Sequence, residues 1–334
     1  MQARSLLRDS FGSRKPASGI WRRRRFVTRA VIRDEKETRG PRKENVPGNF
    51  FVDHTCIDCD TCRWLAPDVF TRQGNQSAVT AQPVDPETRK EALQALFACP
   101  TFSIHAQSTE PGELQDAQRA FPIEVKGVPG AFHCGYHDEK SFGATSYVLV
   151  RPQGNILIDS PRYNPALAKR LEEMGGIKWI FLTHRDDVGD HAKWAKKFGA
   201  KRIIHKEETN EKQGTVDCEI QFSDGHQWFL DDGSKDVEFL WTPGHSRGSI
   251  CMYHRPTKTF FTGDHIGFSA RVDRLSLFPQ YGWDVEEQIL SVGKLMEYDF
   301  YHILPGHGRR IHFKNAEDRL QKINECLVYG REHY

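Results

Sequence analysis

From about residue 146 onward, apolar or β-branched runs of three to five residues alternate with longer stretches in which apolar positions recur at helical spacing. Strands are expected at Ser146–Val150, Ile156–Ile158, Trp179–Leu182, Arg202–Ile204, Val237–Leu240, Ile250–Tyr253, Thr259–Phe261 and His302–Leu304. Helices are expected at Pro165–Met174, after an Asn164 cap, and at His191–Phe198, Val285–Met296 and Asn315–Leu327. Strand pairs interrupted by helices argue for an α/β protein whose sheets are covered on their outer faces. Upstream, Glu87–Phe97 reads as a helix with Ala92, Leu93, Ala95, Leu96 and Phe97 on its apolar side.

The polar residues that end these apolar runs carry the chemistry. Trp179-Ile180-Phe181-Leu182 leads directly into Thr183-His184-Arg185-Asp186-Asp187-Val188-Gly189-Asp190-His191, which packs two imidazoles and three carboxylates into one loop. Charges gathered so closely beside buried strand repel one another unless a cation collects them, so a metal ion is the economical explanation. The same grammar recurs at Asn155-Ile156-Leu157-Ile158-Asp159, Thr242-Pro243-Gly244-His245, Thr262-Gly263-Asp264 and Pro305-Gly306-His307, each following an apolar run. Strand tips at one edge of a layered α/β fold converge on one point, and five ordered tips are hard to obtain by accident.

Charge and cysteines divide the remaining chain. The 47 Lys and Arg nearly balance the 45 Asp and Glu, yet residues 1 to 30 hold nine basic residues against the single acid Asp9. Setting that segment aside leaves 38 basic and 44 acidic residues, which excludes general binding to nucleic acid. The segment itself is Arg- and Ser-rich and nearly free of acids, as transit peptides are, and chloroplast import is preferred to mitochondrial. Its run Arg22–Arg25 also suits a nuclear signal or a nucleic-acid patch. Residues 1–44 are read as this peptide and a charged leader, and 108–124, with Pro111-Gly112, as a junction between two domains, 45–107 and 125–334. No apolar run approaches the roughly 20 residues that span a bilayer, so no membrane partner is expected.

Cys56, Cys59 and Cys62 are spaced two residues apart, and Cys99, followed by Pro100, supplies a fourth thiol. Such spacing wraps a loop around three corners of an iron–sulfur cube, whereas structural zinc sites usually pair cysteines in two separated couples; zinc remains the alternative. The stretch 45–107 resembles small single-cluster ferredoxins of α+β fold, which implies one [4Fe-4S] cluster and an electron-transfer protein partner.

Over residues 125–320 the ordered motifs resemble the metallo-β-lactamase superfamily, an αββα sandwich of metal-dependent hydrolases that includes glyoxalase II, ribonuclease Z and flavodiiron proteins. The resemblance implies that His184 and His245 hold one metal, that Asp190, His191 and His307 hold another, and that Asp264 bridges them, with Asp159 ordering the loop behind. Asp264 or Asp190 would then orient the nucleophile and manage its proton. The chain departs from the family motif in having Asp186 where a second histidine is expected, and two extra residues before Asp190-His191. Ligation by Asp186 replaces an imidazole with an oxygen donor and makes the first site friendlier to iron or manganese, as in flavodiiron proteins; the other reading is a site working with one ion. One or two zinc ions, or iron or manganese, are the expected metals.

Three functions follow. The preferred one is a hydrolase of an ester, thioester or related bond in a small molecule, with an attached redox domain. The second is an oxidoreductase whose cluster feeds a di-iron site, although no flavin module is visible. The third is a redox-responsive binding protein with a decayed site. His133-Cys134-Gly135-Tyr136-His137 has metal-like composition but no strand before it, and is read as a substrate-facing loop at best. His205, His254, His265, His302 and His312 are read as structural.

Overall fold

A computed structural model describes residues 39–333. The transit-peptide reading therefore falls outside the described residues.

In the smaller part, strand Phe50–Val52 pairs antiparallel with Ile104–Ala106, and Phe70–Gln73 forms a hairpin with Gln76–Val79. Helices Thr61–Leu65 and Pro86–Ala98 pack on these strands around Phe50, Val52, Phe70, Val79 and Leu93, all buried. The longer helix starts one residue ahead of the expected Glu87, for local reasons: Pro86 presets its first turn, and the Asp85 carboxylate accepts hydrogen bonds from the Glu87 and Thr88 amides. It ends at Ala98 and delivers Cys99 to the loop of the other three cysteines.

The larger part is built on two sheets. The first has seven strands, in order Ile220–Phe222, Lys201–His205, Trp179–Phe181, Ile156–Ile158, Tyr147–Leu149, Ala131–His133 and Ile123–Glu124. The second has six: Gln227–Trp228, Val237–Trp241, Ile250–His254, Thr259–Gly263, His302–Pro305 and Ile311–His312. Period-two alternation sorts their side chains. Tyr147, Ile156, Ile158, Phe181 and Ile203 meet Phe239, Met252, Phe261 and Leu304 between the sheets. Their neighbours Val148, Leu157, Ile180 and Ile204 turn outward onto Leu167, Leu171 and Trp194 of helices Pro165–Glu173 and His191–Phe198. On the far side, Leu240, Cys251, Phe260 and Ile303 pack on Ile289, Val292, Ile323 and Leu327 of helices Val285–Leu295 and Ala316–His333. The result is the four-layer α/β/β/α arrangement.

Strand direction places the chemistry. Ile156–Ile158, Trp179–Phe181 and Lys201–His205 are parallel, so Asp159 and the loop from His184 leave one edge. In the second sheet Thr259–Gly263 is parallel to His302–Pro305, which brings Asp264 and His307 to one edge. Val237–Trp241 is two antiparallel steps from Thr259–Gly263, runs the same way, and adds His245.

Two expectations need correction. Residues 108–124 are not a plain connector: Glu113–Arg119 is a helix entered through Gly112 at φ 93°, Glu113 pairs with Arg89, and Ile123–Glu124 already joins the seven-stranded sheet. Pro111-Gly112 breaks the chain only to start that helix, which buries Ala117. Also, Ala131–His133 is a strand, and His133 and His137 are buried with their Nε2 atoms 2.8 Å apart. They lie under Trp64 of the smaller part, not on a substrate-facing loop.

Candidate metal centre and cysteine cage

The strand tips converge. His184 Nε2 lies 3.8 Å from Asp264 Oδ2 and 3.9 Å from Asp186 Oδ2, and His245 Nε2 lies 3.7 and 4.0 Å from the same two oxygens. His307 Nδ1 is 2.9 Å from both Asp264 oxygens and 4.0 Å from Asp187 Oδ2. One ligand atom each from His184, Asp186 and His245, and one each from His184, Asp187 and Asp264, fall within 4.8 Å of one another.

The backbone makes room for this crowd. A Cβ on Gly306 would come within 2.7 Å of Asp187 Oδ2 and 2.9 Å of Asp264 Oδ1, so only glycine leaves space for both carboxylates. Behind them Asp159, at φ 52°, accepts from the Thr183 amide at 2.8 Å and from the Thr183 hydroxyl. With its proton committed to Asp159, Thr183 Oγ1 accepts from His184 Nδ1 at 3.0 Å, which leaves the Nε2 lone pair facing the pocket. Buried Glu208 ties Arg185 to the Gly248 amide, bracing the His184 loop against the loop that follows His245.

Electrostatics show what the pocket lacks. Asp187 is fully buried, and neither of its oxygens has a hydrogen-bond partner; burial, with Asp264 beside it, pushes its pKa well above the usual carboxylate range. His184 Nε2 is buried and unpartnered too. Burial opposes a charge on His307, yet the Asp264 carboxylate outweighs it and lifts the imidazole to about 10; Asp187, Asp264 and Asp159 similarly lift His184 to about 9. His245, buried and facing His184, is pushed down to about 4. Unpartnered buried donors of both kinds around one point suit a divalent cation, which satisfies lone pairs that no proton arrangement satisfies together.

Of the seven metal ligands expected from sequence, His184, Asp186, His245, Asp264 and His307 come together, and Asp190 and His191 do not. Asp190 Oδ2 accepts from the Tyr163 amide at 2.8 Å, and Oδ1 pairs with Lys140 and Lys193. His191 Nε2 donates to the Gln213 carbonyl. The two extra residues of the loop account for this: a short turn at Arg185–Asp187 points Asp187 inward, and the chain has moved on by Asp190, which begins the next helix. The expected catalytic part for Asp190 loses its geometric basis with it. Asp187 was visible only as the second of two adjacent acids, and nothing in the sequence says which of them turns in.

The four expected cysteines line one small cavity with Ile57, Thr61, Ser77, Thr101, Ser103 and Ile104. None is in a disulfide. Amides of Ser77 and Ser103 donate to Cys56 and Cys99 Sγ at 3.4 and 3.3 Å, while Thr61 and Ser77 hydroxyls lie 3.4 and 3.2 Å from Cys59 and Cys62 Sγ. Burial raises the Cys59 thiol to about 12 and Cys62 well above the ordinary thiol range, Cys99 and Cys59 respectively adding to it, so a cation is needed to hold them as thiolates. Amide donors on two of the sulfurs and a hydroxyl beside each of the other two fit an iron–sulfur cluster.

Residues 52–106 match the family described as the 4Fe-4S single cluster domain of ferredoxin I. Hydroxyacylglutathione hydrolase of Pelagibacter ubique is 31% identical over 126 residues, 36% of this chain and 50% of that protein. Human acyl-coenzyme A thioesterase MBLAC2 is 32% identical over 101 residues, 28% of this chain and 35% of that one. The chain thus spans half or less of the length of these relatives. The crystal structure of DIM-1 metallo-beta-lactamase aligns with a TM-score of 0.50 at 14% identity, over 63% of this chain and 96% of that one, a likeness of fold alone. Residues 141–307, half of the chain, match the metallo-beta-lactamase superfamily, and with the sandwich and its ordered strand tips in place the chain belongs to that superfamily.

Proposed function

We propose that the chain is a metal-dependent hydrolase of a small-molecule ester or thioester, with a [4Fe-4S] cluster in its smaller part. The observation that carries this reading is the convergence of His184, His245, His307, Asp187 and Asp264 at one edge of the sandwich, with buried donor atoms left unpartnered. His184, His245 and Asp186 would hold one cation, and Asp187, Asp264 and His307 a second or the far side of the first. A cation bound there lowers the pKa of its water from 15.7 to about 7 and polarises a substrate carbonyl.

The residues do the rest. Asp264 faces all three imidazoles, and its carboxylate stays ionised at neutral pH, since burial is outweighed by His307 and His184. Asp186, half exposed at the mouth, is placed to take the proton of the attacking water and release it to solvent. Thr183 and Asp159 keep His184 in one tautomer and orientation. Two thioester hydrolases among the relatives, by their names, favour acyl thioesters as the first substrates to try.

The test is thiol release from acyl-coenzyme A and acylglutathione substrates by anaerobically purified protein loaded in turn with zinc, iron and manganese. His245→Ala and Asp264→Ala are expected to abolish turnover while leaving the brown chromophore intact. Undiminished turnover in both variants refutes the assignment.

A further inference from the structure

The cysteine cage and the metal pocket share one peptide. Gly143, at φ +83°, is packed so closely on the cage that a Cβ there would lie 2.8 Å from Cys59 Cβ and 3.3 Å from Cys59 Sγ. The carbonyl just before it, Phe142 O, lies 3.4 Å from His307 Nε2, and the opposite nitrogen of that ring faces Asp264 at 2.9 Å. The Phe142–Gly143 peptide therefore lies between the cage and a pocket imidazole, beside Cys59 on one side and His307 on the other.

This peptide is held from several sides. The Gly143 amide donates to Asp138 O at 2.9 Å. The Gly143 carbonyl accepts from His137 Nδ1 at 2.8 Å, and that nitrogen is also 3.0 Å from Thr61 Oγ1 in the cage loop. Two residues beyond His307, Arg309 makes a two-pronged ion pair with Asp60, which lies between Cys59 and Cys62, at 2.7 and 3.1 Å. Arg271 reaches Asp58 in the same loop. A shared, hydrogen-bonded stretch of backbone gives two centres a fixed spacing for electron exchange, and a merely structural cage needs none of these ties to the ligand turn of the other site.

The pocket's donors point the same way. His184, His245 and Asp186 form a two-histidine, one-carboxylate set, the pattern of non-haem iron, and Asp187 and Asp264 add further oxygens.

We propose that the Phe142–Gly143 peptide joins the two sites electrically, so that the cysteine-held cluster passes single electrons, by way of His307 and Asp264, to iron in the His184–His245–Asp186 set. The balance is simple. A reduced one-electron carrier protein gives one electron to [4Fe-4S]2+, making [4Fe-4S]+; that electron then passes to ferric iron in the pocket, which becomes ferrous as the cluster returns to its 2+ state. No bond is made or broken. This goes beyond hydrolysis, which needs no change of oxidation state.

The experiment uses the full chain carrying its cluster, with either ferric iron or zinc in the pocket, and photoreduced ferredoxin as the donor, followed by freeze-quench electron paramagnetic resonance. With iron, the ferric signal is lost at one electron per pocket, and the reduced-cluster signal builds only after it has gone. With zinc, the reduced-cluster signal builds at once. A ferric signal that persists while the cluster signal builds equally in both preparations overturns the proposal. Gly143→Ala, in protein shown spectroscopically to hold both centres, prises the peptide from Cys59 and slows ferric loss; an unchanged rate overturns the bridge. If that variant does not hold both centres, the iron-against-zinc comparison in the unaltered chain decides alone. Thioester hydrolysis by the zinc-loaded chain is scored separately, so failure of one reading leaves the other standing.

Discussion

Replacing Asp187 by Asn should move stability in opposite directions with and without metal. Asp187 is fully buried and neither oxygen is hydrogen-bonded, and burial and Asp264 raise its pKa well above the ordinary carboxylate range. The metal-free folded protein therefore keeps a proton that the unfolded chain has released, so stability falls as pH rises from about 4 through neutral. Each pH unit between the unfolded and the folded-state pKa costs about 1.36 kcal/mol. Asn removes that cost but leaves a buried neutral amide, worth about 1–3 kcal/mol against it, so a net gain is expected at pH 7 and none at pH 4. Metal reverses the order: at a thousand times its dissociation constant a cation adds about 4 kcal/mol to the native protein, roughly 8 °C in melting temperature at this size. The variant, lacking a ligand oxygen, should gain far less. Calorimetry at pH 4 and pH 7, with chelator and with saturating zinc, measures all four terms. An Asn variant no more stable than the parent without metal at pH 7, and equally stabilised by zinc, refutes the place given to Asp187.

Two further outcomes are expected. Thr183→Val removes the hydroxyl that bridges Asp159 to His184 Nδ1, and should weaken zinc or iron binding by roughly 10- to 100-fold in a competitive chelator titration, with the cluster spectrum unchanged. Far from the pocket, burial would raise the Asp236 pKa, but buried Arg151 and Ser234 outweigh it and hold it at about 2. Because that pKa is depressed in the folded state, its contribution of about 2 kcal/mol is complete above pH 4 and lost as pH falls toward 2. Asp236→Asn should remove that acid slope from urea denaturation midpoints between pH 2 and 5, and an unaltered slope would count against it.

The two sheets were legible because their strands are buried on both faces, so that apolar runs such as Trp179–Phe181 announce themselves without help from context. The helix start at Asn164 was equally plain, its side chain accepting from amides two and three residues on, whereas the Asp85 cap was not read and the helix it starts was placed one residue late. Tertiary choices were not readable. Asp186 and Asp187 are neighbours of identical chemistry, and only a three-residue turn decides that one is half exposed and the other enclosed. Asp190-His191 carries the family's letters but is displaced by two residues of loop, and its side chains found Tyr163, Lys140 and Gln213 instead. Gly143 carries no sequence signal, because its importance lies in an absent side chain opposite a sulfur 84 positions earlier.

Arg162 illustrates what the joining of the two parts costs and secures. Its guanidinium donates to the carbonyls of Phe97 and Cys99 from the smaller part and of His137 from the larger. Separating the two parts would leave two carbonyls and a half-buried cation short of partners, so neither piece is expected to behave well alone. An arrangement that cannot be taken apart also fixes its stoichiometry: every metal pocket is made with its own sulfur cage, one to one, whatever the supply of free carriers around it.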